Sequence, residues 1–218
     1  MKRIILLSLV LSFTFPAFSQ TWTTVAIDSI VSVKVPFIKN VKKDSHFDLV
    51  TEASFGTILV FKTPDDVKTT PDIERDKHLM KYYKQYIEIV SKQSKGKILD
   101  TKDALIGKLK VKDFTLEIDT GSGVLYRNFR ILHANNYTYT FEFLYKGMHK
   151  EYAAPERDQF FKSITVADEL DKKDQFTSAA INAGNVDKSN NLWYVIGGIV
   201  VLIVILFFVF RSRKRTKV

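Results

Sequence analysis

The sequence contains no cysteine. Disulfides, thiolate nucleophiles, Cys-ligated zinc and thiolate-held iron–sulfur clusters are therefore excluded. Export is not excluded, because a domain large enough to bury a core needs no covalent staple. Histidine is scarce: His46, His78, His133 and His149 are the whole supply. No two of them stand at the HxxH or HExxH spacing that would bring two imidazoles onto one metal ion. Neither a GxSxG nucleophile turn nor a GxxxxGK[ST] phosphate loop occurs. Gly121-Ser122-Gly123 lacks the lysine of a phosphate loop and reads as a β-turn. Asp100, Asp103, Asp113 and Glu117 fall among loops and solvated strand positions, so their spacing defines no acid–base pair. The sequence thus assigns no catalytic, cofactor-binding or metal-ligating residue, and no cofactor is expected.

Charge of one sign is also missing from most of the chain. The formal charge of +9 comes from 33 basic and 24 acidic residues. Seven of the basic residues sit at the two ends: Lys2, Arg3, Arg211, Arg213, Lys214, Arg215 and Lys217. The stretch 20–210 is left at about +2. A basic isoelectric point ordinarily points to nucleic acid, but here it describes the termini, and nucleic acid is not expected as a partner.

Long apolar runs occur in two places. MKRIILLSLVLSFTFPAFSQ has a basic start, an apolar centre and small residues at 17 and 19. That is the pattern of a signal peptide, 1–19, cleaved after Ser19. Leu192 to Phe210 holds no charged or strongly polar side chain. As a helix it would cover roughly 28 Å, the thickness of a bilayer's hydrocarbon core. Trp193 and Tyr194 stand where an aromatic belt would meet the headgroups, and Arg211, Arg213, Lys214, Arg215 and Lys217 satisfy the positive-inside rule. These seven residues are the expected membrane-interface residues. The expected organisation is a signal peptide (1–19), an exported α+β domain (20–167), a flexible polar stalk (168–191), a transmembrane helix (192–210) and a basic cytoplasmic tail (211–218).

Inside the domain the period of the apolar residues changes repeatedly. SIVSVKVP alternates Val31, Val33 and Val35 against Ser32 and Lys34, which predicts a half-buried strand ended by Pro36. HFDLV and TILVFKTP predict paired strands around EASFG, with the buried side of the second left open between Thr57, Leu59, Phe61 and Ile58, Val60. From Thr70 the period becomes helical. Thr70 is the expected cap, Pro71 the first helical residue, and Leu79, Tyr83, Ile87 and Val90, widened by Met80, form one face. Gly96 is the expected stop, while Lys77, Lys81 and Lys84 read as a solvated face. Strand periodicity returns over 97–146. It is clearest in VLYRNFRILHANNYTYTFEFLYK, two strands joined around Ala134-Asn135-Asn136. There Tyr137, Tyr139, Phe141, Phe143 and Tyr145 share one side and read as core, and Glu142 is expected opposite Arg127 or Arg130. A last helix is expected with Pro155 in its first turn and Phe160, Phe161 and Ile164 as its seam.

This order, from Trp22 through Val31-Ser32-Val33-Lys34-Val35-Pro36 and the Thr138–Tyr145 strand to Phe160-Phe161-Lys162-Ser163, resembles the PsbP/Mog-like α/β/α sandwich superfamily, particularly its small uncharacterised bacterial members. The resemblance implies an antiparallel sheet with packed helices. Members of that superfamily assist photosystem assembly or bind a small GTPase, and neither role has a residue signature here. The fold class expected is therefore α+β, an antiparallel sheet with packed helices, plus one C-terminal transmembrane helix. The expected function is a noncatalytic, membrane-anchored extracytoplasmic binding or assembly module of unknown ligand. It would be a single-pass cell-membrane protein, N-terminus outside (periplasmic in a Gram-negative cell) and C-terminus cytoplasmic. Its expected partners are the lipid bilayer and an extracytoplasmic or membrane protein. The reading from another class is a hydrolase or small-ligand-binding enzyme whose site assembles only in three dimensions.

Overall fold

A computed structural model describes residues 21–36, 48–66 and 70–177. Its strands are β1 (Thr23–Ala26), β2 (Val31–Val35), β3 (Leu49–Glu52), β4 (Thr57–Pro64), β5 (Lys97–Ile106), β6 (Leu109–Asp119), β7 (Val124–Ala134), β8 (Tyr137–Lys146) and β9 (Thr165–Val166). The helices are α1 (Asp76–Ser94) and α2 (Lys150–Lys162). A six-stranded antiparallel sheet runs β3-β4-β8-β7-β6-β5, and a three-stranded one runs β1-β2-β9. The result is an α+β sandwich. Helix α1 covers one side of the large sheet, and the small sheet with α2 covers the other.

The alternating residues of β8 decide how the layers divide. Tyr139, Phe141, Phe143 and Tyr145 are all buried, and they pack with Val31, Val33, Val35, Ile58, Val60 and Phe160 in the larger core. The opposite side of β8 carries Thr138, Thr140 and Glu142, also buried. The face of α1 predicted from the sequence is the one that packs: Leu79, Tyr83, Ile87 and Val90 lie on Phe114, Leu116, Phe129 and Ile131. Both sides of β4 are apolar and covered. Ile58 and Val60 enter the larger core, and Leu59 and Phe61 pack with Leu144 on the other face.

The ends of elements depart from the sequence reading in specific ways. Helix α1 begins at Asp76, with Arg75 extended at its cap, not at Thr70 and Pro71. Ile73 cannot be helical, because it forms an isolated antiparallel bridge to Thr177 and its side chain is fully buried. At the other end Lys95, φ 52°, is the left-handed residue, and Gly96 donates its amide to the Ser91 carbonyl. The absent side chain at 96 serves packing: a Cβ there would lie 3.2 Å from Ile118 and 3.3 Å from Leu116. Helix α2 starts at Lys150, so Pro155 falls inside it and not in its first turn. Packing also continues past residue 167. Leu170, Gln175 and Thr177 are buried, and Gln175 bridges Lys110 and His133 on neighbouring strands.

Among the described residues no helix is long and apolar enough to cross a membrane. Helix α1 is long enough but carries Asp76, Lys77, Lys81, Lys84, Glu88 and Lys92, and α2 spans only 13 residues. The fold class is therefore corrected to an α+β sandwich with antiparallel sheets and two packed helices, with no transmembrane helix among the described residues. The membrane-anchored function, the single-pass topology, the cell-membrane location and the lipid bilayer as partner are withdrawn with it. The segments 1–19 and 192–210, and with them Trp193, Tyr194, Arg211, Arg213, Lys214, Arg215 and Lys217, lie outside the described residues.

Candidate functional site

The turn between β3 and β4 is held from below and points an aromatic ring outward. Ala53 donates its amide to the Gly56 carbonyl, closing the turn at 2.9 Å. The amides of Ser54 and Phe55 donate to the two carboxylate oxygens of Glu156, at 3.1 and 3.2 Å, so α2 grips two successive backbone N–H groups. Gly56 is seated so close to β8 that a Cβ would meet the Phe143 ring at 2.6 Å and the Leu144 carbonyl at 2.7 Å. The turn therefore has a fixed position, and the Phe55 side chain stays 39 % exposed.

Two residues of α2 and the short 3-10 turn before it extend this surface. The Phe55 ring lies 5.6 Å from the imidazole of His149 and 5.4 Å from the ring of Tyr152. Tyr152 is 65 % exposed and Met148, in the same turn as His149, 78 %. Gly147 backs onto Val124, itself an exposed apolar residue, and Lys150 places its ammonium 5.3 Å from the Tyr126 ring. Aromatic side chains and methionine exposed together, with lysine beside them, have the composition of an interface core and not of an ordinary solvated surface.

The three described histidines do not converge. His46 lies outside the described residues. His78 is beside Arg75 and 4.0 Å from Glu74 on the helix surface. His149 belongs to the aromatic cluster. His133 is fully buried, with Nε2 2.9 Å from Asp65 and Nδ1 3.0 Å from the Gln175 carbonyl. A carbonyl oxygen only accepts, so Nδ1 donates there, and Nε2 faces the Asp65 carboxylate. With both side chains buried, this pair fastens the ends of β4 and β7 to the 3-10 turn Lys172–Gln175 and offers nothing a substrate could reach. Among the described residues no group of His, Asp and Glu could hold a metal ion. Of the carboxylates considered from sequence, Asp103 pairs with Lys112 and Asp113 with Arg130, while Asp100 lies opposite Thr115 and Glu117 opposite Lys97 in the β5–β6 register.

Tyr82 and Tyr86 face inward. Their hydroxyls hydrogen-bond Thr138 and Thr140 at 2.7 and 2.8 Å, and burial pushes both phenols well above the usual tyrosine range. Beneath them Arg127 and Glu142 form a two-bond ion pair at 2.5 and 2.8 Å, one of the two partners expected from sequence. Lys77, Lys81 and Lys84 are exposed on α1.

The fold has a structural counterpart. The cyanobacterial PsbP protein (CyanoP) of Synechocystis sp. PCC 6803 superposes with a TM-score of 0.50 at 9 % identity, covering 70 % of this chain and 96 % of that one. A Pseudomonas aeruginosa protein of unknown function, PA94, gives 0.42 at 10 % identity, over 63 % of this chain and 92 % of its own. LpqN of Mycobacterium tuberculosis, involved in cell envelope biogenesis, gives 0.36 at 9 % identity, over 67 % and 91 %. The chain thus resembles CyanoP in fold, at low identity. No protein-family profile matches it, and no curated relative matches in sequence.

Phe55, Met148 and Tyr152 were not singled out by sequence reasoning. Phe55 lies nearly a hundred residues from the other two, and only folding brings them together. The one available signal was the bulky Phe in EASFG, where a turn usually carries small or polar residues.

Proposed function

We propose that this domain recognises a protein partner through the surface formed by Phe55, Met148, His149 and Tyr152. The observation that carries the reading is the turn-and-helix grip. Glu156 fixes the backbone that presents Phe55, so the turn is preorganised and its backbone need not be ordered on binding. Aromatic anchors in a rigid setting are the side chains that dominate interface energetics. The partner that fits is a protein segment bearing an apolar or aromatic side chain that can lie on the Phe55 and Tyr152 rings. The likeness to PsbP-type sandwiches supports the scaffold and contributes nothing about the partner.

A photo-crosslinking residue placed at 152 tests this. It is expected to give a discrete adduct in the cells of origin that disappears when Met148→Asp is added. A crosslinker at Lys84, on the solvated side of α1, is expected to give none. Identical adduct patterns from the two positions would defeat the proposal.

A further inference from the structure

The other edge of the large sheet is built differently. Strand β5 runs for ten residues, Lys97–Ile106, and pairs only with β6, so its outer row of backbone donors and acceptors meets no strand among the described residues. Every side chain from Lys97 to Asp103 is exposed, whichever side of the sheet it points to. The strand thus stands out beyond the layers that cover the rest of the sheet. Ile98, Leu99 and Leu105 are 38, 45 and 65 % exposed on it. A long open edge with apolar residues is a template for another strand.

The charges on this edge specify which strand. Asp100 and Lys102 point to the same side, opposite Thr115 and Asp113 of β6, and neither forms an ion pair among the described residues. Asp103, on the other side, is taken by Lys112 at 2.8 Å. Two copies of β5 related by a twofold axis normal to the sheet can pair only in registers centred on a residue, because opposed residues must point to the same side. A centre at Asp100 or Asp103 sets carboxylate against carboxylate, and a centre at Lys102 sets ammonium against ammonium. A centre at Thr101 sets Asp100 of each copy against Lys102 of the other, on both sides of a Thr–Thr pair. Opposite charges and paired threonines are favourable cross-strand neighbours, and like charges are not.

We propose that β5 is a homodimer interface, paired antiparallel with a second copy of this chain about Thr101. The alternation of sign that would repel a foreign strand or a slipped register selects this one. The irregularity in pairing between Ile98 and Asp100 limits the pairable length and prevents growth along the strand.

Sedimentation of the full chain over a concentration series tests the proposal. A monomer–dimer equilibrium is expected. Lys102→Asp and Asp100→Lys each place like charges opposite one another twice and are expected to weaken dimerisation about tenfold or more. The combined Asp100→Lys, Lys102→Asp variant restores complementarity with the signs exchanged and is expected to dimerise like the parent. Both side chains are exposed, so circular dichroism should show all four proteins folded alike. A parent that stays monomeric, single variants that dimerise unchanged, or a double variant as weak as the singles would each overturn the assignment.

Discussion

At the scale of single residues, this protein places charge in its interior and satisfies it by pairing. The Glu142 side chain is 0 % exposed and that of Arg127 5 %, and the guanidinium also lies 4.8 Å from the Phe129 ring. Breaking a buried pair leaves one uncompensated charge, whereas replacing both partners by apolar groups does not. Glu142→Gln is therefore expected to cost about 3–5 kcal/mol in urea denaturation, and Arg127→Met with Glu142→Leu close to nothing. Asp28 is a second case. Burial would raise its carboxyl, but hydrogen bonds from Lys62, Tyr139 and the amides of Ile30 and Val31 outweigh burial and hold it below the ordinary 3.8. A lowered folded-state value means the stabilisation is complete at neutral pH and fades as pH falls below about 3.8. Asp28→Asn should thus lower stability at pH 7 and flatten its decline in acid, read as urea midpoints across pH 7 to 3.

At the scale of elements, close approaches fix what the site can present. Gly56→Ala drives a methyl group into the Phe143 ring and the Leu144 carbonyl. It is expected to cost about 1–3 kcal/mol, the range for overpacking, and to displace Phe55 from Tyr152, which the loss of the crosslinked adduct would report. Elements with one apolar and one polar side were legible from sequence: β2, the stripe of α1 and the aromatic ladder of β8 all sit where the alternation put them. Strand β5 was submerged in a general strand signal over 97–146, because KILDTKDALI is wet on both sides and so has no alternation for burial to impose. The start of α1 was misplaced because Ile73 is claimed by Thr177, a partner more than a hundred residues away. Pro155 misplaced the start of α2, since proline favours a first turn but the anchoring of Phe160 holds the helix through it.

At the scale of the whole molecule, the Phe55 turn and strand β5 lie at opposite edges of one sheet. The order β3-β4-β8-β7-β6-β5 puts the turn carrying Phe55 at one end and β5 at the other. They are therefore separable by mutation. Tyr152→Ala with Met148→Ala should abolish partner capture and leave sedimentation unchanged, while Lys102→Asp should do the reverse. The aromatic cluster itself was beyond sequence reasoning, because no local pattern links a hairpin tip to the first turn of a distant helix.

The strand order has a geometric consequence. Joining two copies through β5 makes one continuous sheet of twelve strands, and at ~4.8 Å per strand its outer edges stand roughly 50 Å apart. Each edge would carry one Phe55 platform. Such an assembly is a caliper: it would hold a pair of ligands, or one repetitive ligand, far more firmly when the docking points match that span. Avidity would then fall away for shorter or longer spacings, although no contact at either platform had changed.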